Sequence, residues 1–393
     1  MTEEARLSWR RILVNCAPRF LARNSRRSTR IKRVAVLCGA VRDCVLRSIC
    51  FEVGGIDANA SRQFVDRLPD VLGRCDEDIY DAPFAAEAYA FVHLVDRYRR
   101  FWDVLEELAR AGNLPVRDSP LDVLDIGTGP ASALYAVNDF FEELRAYSGR
   151  TRDCQRLKTP PPRLRSIEAS EGMVRLVHRL SEITSRPGPF QPDRANFDGF
   201  NPPEIRAAHH RRIQEELVND WDYSEQAVRI QASLEQEDWQ GDARYHICVL
   251  SNFLTSQTQV QRLASELTHV FGALKPRGIV IVVGGSGADY PMVYESLDKV
   301  AKKSNVRRVN EMPATLPCHY NNAEAEEIKK MYRSVFEAVQ QVVPLHHLEE
   351  KLPGARDLWD PDTPLNGPKA FGVRVYQALN KPPFTRFTKH RSG

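Results

Sequence analysis

The sequence predicts an α/β fold built on a mainly parallel, Rossmann-like sheet. A buried strand, a glycine turn and a helix follow one another over residues 121–147. A second strand over 164–168 also ends in an acid. Two short apolar runs, 245–250 and 279–283, have the length and composition of strands that are covered on both faces.

The first strand–turn–helix unit is the most informative stretch of the chain. Residues 121–126 have the pattern of a buried strand, with Asp125 near its end, and a Gly-Thr-Gly-Pro turn follows at 127–130. Residues 131–147 then have the pattern of a helix. Because glycines let a ligand approach the backbone and a helix N-terminus offers free N–H groups, this unit predicts a nucleotide-type pocket.

Two other interpretations of the same turn stay open. Gly127 and Gly129 match the first two positions of a dinucleotide-binding G-x-G-x-x-G pattern, but Ser132 stands at the third. A pyrophosphate would also lie close to Asp125, whereas a positively charged ligand would be stabilised there. The turn is equally compatible with a strand–turn–helix unit that binds no ligand, because a lone Gly-x-Gly is a weak signal.

The second strand supports the pocket interpretation. It ends in Glu168, and a helix is expected after it to about residue 180. The third strand is expected near 190–197, although no clean apolar run marks it. An oversized segment, 187–242, is interpreted as a helical insertion before the fourth strand.

The later strands follow in the order that this fold requires. The fourth, over 245–250, ends in Ser251 and Asn252. A Leu-Lys-Pro-Arg-Gly turn leads into the fifth, over 279–283. Residues 371–378 alternate in polarity as a half-buried strand does, and we expect them to form an antiparallel seventh strand.

Together these features resemble the class I S-adenosylmethionine-dependent methyltransferases. An acid two residues before the first glycine resembles their motif I, and the resemblance implies a seven-stranded methyltransferase sheet with S-adenosyl-L-methionine as cofactor. It also implies that Glu168 binds the ribose hydroxyls and that Ser170 and Met173 lie near the adenine. The expected cofactor-binding residues are Asp125, Gly127, Thr128, Gly129, Pro130, Glu168, Ala169, Ser170, Met173, Ser251 and Asn252.

Two departures from the family pattern are visible. Ala131 replaces the third glycine, a small-for-small exchange that the turn is expected to tolerate. The gap from Gly129 to Glu168 exceeds the roughly 20 residues common in such folds, and a Pro- and Arg-rich loop fills it. An Asn-Pro-Pro run at 201–203 is rejected as the motif of amino-group methyltransferases, because it precedes the fourth strand and lacks the aromatic residue.

A helical lead-in is expected before the first strand. Between residues 84 and 108 the apolar positions recur at helical spacing. A helix that packs on the sheet or covers the pocket mouth is favoured over an aromatic platform for base stacking. Tyr89 and Tyr98 are its candidates for reaching the cofactor. A further helical pattern, over 257–271, follows the fourth strand.

Composition fits one large domain with appendages, or two domains. The chain has 393 residues, of which 42% are hydrophobic, and no run approaches the roughly 20 apolar residues of a membrane span. Residues 6–33 include ten basic residues and no acid. We interpret this arm as disordered chain, as an RNA-binding segment or, despite Glu3 and Glu4, as a transit segment.

Cysteine and histidine usage predicts no metal centre. The eight cysteines include no C-x-x-C pair, so reduced thiols are expected, with neither a zinc site nor a disulfide framework. The pairs at 209–210 and 346–347 are adjacent histidines, which is not metal-ligand spacing. His246, inside the fourth strand, is interpreted as a packed residue.

The expected organisation has four parts. A basic arm covers 1–50, a helical lead-in covers 51–120, a core covers 121–305 and a C-terminal part over 306–393 completes the sheet. No membrane association is expected, the expected location is the cytoplasm, and the oligomeric state stays open.

The sequence therefore predicts methyl transfer by in-line displacement to an unidentified acceptor, a small molecule or RNA. No catalytic base can be identified. A weaker resemblance, through the segments LDIGTGPASALYA, IEASEGM and VLSNFL, is to methyltransferase-like proteins of the small mitochondrial ribosomal subunit. It implies either a ribosomal RNA acceptor or an assembly protein with a vestigial pocket. The iron–sulfur cysteine cluster of those proteins is not matched, since Cys318 stands alone.

Overall fold

The computed structural model describes residues 14–22, 29–51, 54–73, 80–117, 119–151, 160–185, 193–194, 245–288, 290–304, 306–318, 320–358, 360, 363, 365 and 370–379. The helices are α1 (residues 14–22), α2 (Thr29–Ile49), α3 (Ala58–Gly73), α4 (Ala85–Arg110), α5 (Ser132–Arg150), α6 (Glu171–Ile183), α7 (Gln257–Arg262), α8 (Ala264–Gly272), α9 (Tyr290–Lys303), α10 (Asn322–Gln340) and α11 (Leu345–Lys351). The strands are β1 (Asp122–Ile126), β2 (Arg163–Glu168), β3 (Asp193–Arg194), β4 (Tyr245–Ser251), β5 (Leu274–Gly284), β6 (Val306–Arg308), β7 (Thr315–Leu316) and β8 (Phe371–Ala378).

The strands form one sheet in the order β3-β2-β1-β4-β5-β8-β6, and the short β7 also pairs with β8. Strands β1 to β5 are parallel, whereas β8 runs antiparallel to β5, and β6 and β7 run antiparallel to β8. The predicted mainly parallel, Rossmann-like sheet is therefore confirmed, including its antiparallel last strand, although the short β7 gives it eight strands where seven were expected. The weakly marked third strand is the two-residue β3, inside the range expected for it.

Both faces of the sheet are covered, because the central strands are apolar on both sides. Along β4, Ile247 and Val249 belong to the larger core, whereas Cys248 and Leu250 belong to the smaller one. Helices α1 to α6, α10 and α11 pack in the larger core, and α7 to α9 pack in the smaller. Double coverage explains why residues 245–250 form a continuous apolar run instead of an alternating one.

The N-terminal basic region differs from the expected arm over 1–50. Helix α2 lies within that range and packs into the larger core. Its apolar residues, which alternate with charged ones along the sequence, recur at helical spacing. The number of basic residues in this region does not reveal the apolar pattern, so the helix was not predicted. Residues 1–13 and 23–28 of the arm lie outside the described residues. The buried apolar residues of α2 include Val34, Leu37, Val41, Val45 and Ile49.

Two further expectations need correction. The helix expected over 257–271 is divided at Leu263 into α7 and α8. Cys16 is disulfide-bonded, contrary to the expectation of reduced thiols, whereas Cys38, Cys44, Cys50, Cys248 and Cys318 are free. Within the described ranges, no helix is both long and apolar enough to cross a membrane.

A buried acid joins three helices of the larger core. Glu324, near the start of α10, is fully buried and pairs with Arg30 of α2 and with Arg99 of α4, whose Nε lies 3.4 Å from Glu324 Oε2. Asn321 and Glu324 also form a reciprocal capping box at the start of α10. Because removing one partner from a buried ion pair leaves uncompensated charge, this network stabilises the way in which α2, α4 and α10 meet.

Replacing Glu324 by alanine should therefore destabilise the fold strongly. We expect Glu324→Ala to lower the free energy of unfolding by about 3–5 kcal/mol, since Arg30 and Arg99 lose their shared counter-charge. Urea denaturation followed by circular dichroism measures this change. Glu326→Ala, at an exposed position of the same helix, is the control and should stay within about 0.5 kcal/mol of the wild type. Equal effects of the two substitutions would contradict the role given to Glu324.

Candidate functional site

The candidate site lies where the strand order reverses. From β1 the chain proceeds to β2 and β3 on one side, and then returns to β4 and β5 on the other. A crevice forms outside the carboxyl ends of β1 and β4, because the connections leave these two neighbouring strands in opposite directions. Open α/β sheets bind their ligands at such a switch point.

The turn after β1 depends on left-handed backbone conformations. Gly127 has φ +64°, Gly129 has φ +53° and Ala131 has φ +62°. The N–H groups of Gly127 and Thr128 both donate to the carbonyl oxygen of Ile167, at 2.9 and 3.2 Å, which holds the turn against the end of β2. Ala131, which stands where the family pattern has its third glycine, thus adopts the left-handed conformation, at a conformational cost of about 1–2 kcal/mol.

Ala131 is also the N-cap of α5. It offers no side-chain hydrogen bond to the first turn of that helix. The first-turn N–H groups of a helix have no intrahelical acceptors, so this end offers hydrogen-bond donors to a ligand.

Two aromatic rings flank the turn. A Cβ atom at Gly127 would lie 2.3 Å from the ring of Phe253, and one at Gly129 would lie 3.8 Å from the ring of Tyr89. The Tyr89 ring makes an edge contact with Tyr80 at 5.0 Å between centroids, and the Arg97 guanidinium lies 4.6 Å from its centroid. Glycine at 127 is therefore required by close packing as well as by its φ angle.

Asp125 is a buried acid whose carboxylate accepts a hydrogen bond through one of its two oxygens. It is 1% exposed, and Thr128 Oγ1 donates to its Oδ2 at 2.7 Å. Its Oδ1 is buried without a hydrogen-bond partner among the described residues. Burial raises the pKa of Asp125 to about 7, and the negative charge of Glu168 adds to the rise, while the Thr128 hydrogen bond opposes it.

Glu168 binds the backbone of the glycine turn. Its Oε2 accepts a hydrogen bond from the Gly129 N–H at 2.7 Å, and its Oε1 accepts one from the Ser170 N–H at 3.0 Å. Burial raises the pKa of Glu168, Asp81 raises it further, and the backbone hydrogen bonds counteract the rise. The Ala169 N–H also hydrogen-bonds to this carboxylate, and because a carboxylate has about four lone-pair sites, Glu168 can still accept a further donor from a ligand.

Asp81 is a further acid beside the turn, and it was not predicted from the sequence. Its Oδ1 accepts from the Ser170 hydroxyl at 2.8 Å and from the Gly172 N–H at 3.0 Å, so it binds the start of α6. A Cβ at Gly172 would lie 2.3 Å from the carbonyl oxygen of Tyr80, which shows how closely this segment packs. No local pattern marks Asp81, because its partners are about 90 residues away in sequence.

The other predicted cofactor-binding residues around the crevice differ in how far their side chains are exposed. Ser170 caps α6, with Oγ accepting from the Met173 N–H at 3.1 Å, and the Met173 side chain is buried in the larger core. Ala169 is exposed, and Pro130 is buried. The ligand-binding roles assigned to these residues stay predictions.

The carboxyl end of β4 brings two more candidates to the crevice. Asn252 has φ +53°, and its backbone N–H donates to the carbonyl oxygen of Val283 at 2.7 Å. Its side-chain Nδ2 lies 3.2 Å from Ser251 Oγ. Tyr98, by contrast, is fully buried and donates to Asp139 Oδ2 at 3.1 Å, so it belongs to the packing between α4 and α5.

His246 lies at the opposite, amino edge of the sheet. Its Nδ1 accepts from the Asp122 N–H at 2.9 Å, and the Arg117 guanidinium contacts its Nε2. Arg163 and Lys275 both pair with the Asp122 carboxylate. Burial, with Arg117 and Lys275, lowers the pKa of His246 to about 4, which fits the interpretation of a packed residue.

Comparisons with known proteins add little to this geometry. No protein-family model matches the sequence, and no curated protein matches it. The structure is similar to the cyclopropane synthase MmaA2 from Mycobacterium tuberculosis, at 10% identity and a TM-score of 0.35, over 80% of this chain and 98% of that one. At 12% identity and a TM-score of 0.32, it is similar to the YcgJ protein from Bacillus subtilis, over 72% of this chain and 98% of that one.

A third similar structure is a geranyl diphosphate C-methyltransferase from Streptomyces coelicolor in complex with S-adenosyl-L-homocysteine. The identity is 9% and the TM-score 0.32, over 79% of this chain and 84% of that one. Similarities at these values carry no argument about the site, so its interpretation depends on the contacts described above.

Gly127→Ala tests the packing of the turn. We expect it to lower the free energy of unfolding by at least 1–2 kcal/mol (about the cost of the left-handed conformation alone), because the added Cβ would also meet the Phe253 ring. Urea denaturation measures the loss. Gly39→Ala, in the interior of α2 with open space around the new Cβ, is the matched control and should be neutral or stabilising by up to about 1 kcal/mol. A neutral result at Gly127 would argue against the described turn.

His246 should make stability depend on pH between about 6.5 and 4. The folded protein favours the neutral ring, so stability is complete above pH 6.5 and falls as the pH drops towards 4, where the folded form also takes up the proton. Urea unfolding at several pH values should give a shallower dependence for His246→Gln than for the wild type. Identical slopes would mean that His246 titrates normally in the folded protein.

Proposed function

We propose that the chain is an S-adenosylmethionine-dependent methyltransferase whose donor pocket is the crevice at the carboxyl ends of β1, β2 and β4. One observation carries the proposal. The acids that end β1 and β2 converge on a single left-handed glycine turn, with Glu168 bound to the Gly129 N–H and Asp125 buried beneath Thr128.

The residues present fit the donor. Asp125 Oδ1 is buried and has no hydrogen-bond partner within the described ranges, so it suits a positively charged or N–H-bearing group. Glu168 can accept a hydrogen bond from a ribose hydroxyl through its remaining lone-pair site. The rings of Phe253 and Tyr89 supply apolar walls on either side of the turn.

When bound, S-adenosylmethionine would supply a methyl group already activated by its positively charged sulfur. The contribution of this chain would then be positioning, exclusion of water and control of charge, which can provide much of the acceleration of a displacement. Ser251 and Asn252 lie at the carboxyl end of the neighbouring strand, where the acceptor is expected to approach. No catalytic base is assigned.

The ribosomal-RNA-directed alternative, and that of an assembly protein with a vestigial pocket, depend on the weaker resemblance and on the basic arm. Within the described part of that arm, Arg33 contacts Glu142 at 2.9 Å and Asp139 at 3.6 Å, and Arg30 pairs with Glu324. These two cations therefore stabilise the protein itself. We propose that the methyl acceptor is either a small molecule or an RNA.

Titration calorimetry with S-adenosylmethionine tests the donor site. We expect Asp125→Ala and Glu168→Ala each to weaken binding at least tenfold, or about 1.4 kcal/mol, because each removes a carboxylate that faces the ligand. Asp70→Ala, which removes an acid of α3 paired with Arg67, is the control and should bind like the wild type. Absence of binding by the wild type, or binding indifferent to both substitutions, would refute the proposal.

Transfer of a labelled methyl group to cell extract, separated into RNA, protein and small molecules, identifies the acceptor class. A methyltransferase is expected to label one fraction, and Asp125→Ala is expected to reduce that label when the donor concentration is below saturation. Donor binding without labelling of any fraction would support the vestigial pocket instead.

A further inference from the structure

Among the residues that the structure describes, no positive charge compensates the negative charge of Asp125. Its carboxyl is 1% exposed, its Oδ2 accepts from Thr128, and its Oδ1 is buried with no hydrogen-bond partner in the described part of the chain. An isolated carboxylate in such a place is costly, because neither water nor a counter-ion offsets its charge.

The groups around Asp125 are acidic or neutral on every side that the structure describes. Glu168 ends the neighbouring strand β2 and repels a negative charge on Asp125. The Cys248 thiol, on β4, is buried and its own pKa is raised in part by Asp125. Asp81, beyond Glu168, adds a further acid. Among the described residues, no cationic side chain acts on the pKa of Asp125.

Two states relieve this cost. In one, the carboxyl holds a proton and is neutral; in the other, a cation from outside the chain lies against Oδ1. These states exclude one another at a single oxygen, since the proton and the cation stabilise opposite charge states of the same group. Occupation of the site by a cation is thereby linked to protonation.

We propose that Asp125 holds a proton in the free protein and releases it when a cationic ligand binds, so that this residue selects the ligand by its positive charge. In this step the carboxyl O–H bond breaks, its electron pair stays on the carboxylate, and the proton passes to the buffer. The proposal depends on the proposed function only for the identity of the probe, S-adenosylmethionine.

The linkage has a defined direction. Below pH 7, binding of the cationic ligand should weaken about tenfold for each pH unit, because the proton must first be displaced from Asp125. Above pH 7 the affinity should level off, until the amino group of the ligand begins to lose its own proton near about pH 7.7–8.0. A neutral ligand that shares the adenosine part, 5′-methylthioadenosine, should show no such dependence, since it does not require the carboxylate.

Calorimetric titration of the full chain at pH 6, in two buffers of different ionisation enthalpy, measures the protons released. The amino group of S-adenosylmethionine is itself fully protonated there, since α-amino groups titrate near pH 7.7–8.0 (about two units higher). We expect close to one proton released for each S-adenosylmethionine bound by the wild type and none with 5′-methylthioadenosine. Asp125→Asn should abolish the release, and the control Asp70→Asn should retain it.

A second variant separates charge selection from a purely structural role. Thr128→Val removes the hydrogen bond that stabilises the carboxylate, so the pH at which S-adenosylmethionine affinity levels off should move upward. A structural role alone would not move this midpoint. Thermal unfolding of each variant verifies that it is folded.

The outcomes distinguish this proposal from the proposed function. If S-adenosylmethionine does not bind the wild type at all, the donor site itself is wrong. If it binds but releases no proton, or if the release persists in Asp125→Asn, the charge-selection proposal is overturned while the donor site stands.

Discussion

The hydrogen bond from the Gly129 N–H to the Glu168 carboxylate is the interaction on which the candidate site depends. At 2.7 Å it connects the turn after β1 to the last residue of β2. The bonds from Gly127 and Thr128 to the Ile167 carbonyl oxygen reinforce it. These contacts require left-handed conformations at Gly127 and Gly129, which only glycine adopts without strain. The position of α5, and of the crevice beside it, follows from this turn.

The same turn collects three acids, and among the described residues no cationic side chain acts on the pKa of Asp125. Asp125, Glu168 and Asp81 lie around it, and backbone N–H groups, not cationic side chains, offset the charge of Glu168. A pyrophosphate would be repelled by this arrangement, which argues physically against the dinucleotide interpretation of the glycines. A positively charged ligand would relieve the repulsion, and that charge preference is the main physical reason for favouring a sulfonium donor.

Much of the fold could be predicted because its signals are local. The apolar runs of β4 and β5, the alternating pattern of β8 and the acid–glycine order around Asp125 each lie within a dozen residues. The contacts that complete the site are distant in sequence. Asp81 binds Ser170, and the Tyr89 ring packs near Gly129, through the tertiary fold alone. Helix α2 was missed because its strong positive charge obscured its apolar spacing.

The central claim is that the turn between β1 and α5 binds a methyl donor through Asp125 and Glu168. A crystal structure of the protein grown with S-adenosyl-L-homocysteine, the demethylated product, tests it most directly. The account predicts the ligand at the turn, with a ribose hydroxyl on Glu168 and its amino nitrogen about 3 Å from Asp125 Oδ1. A ligand bound elsewhere, or a crevice that stays empty at saturating concentration, would contradict it.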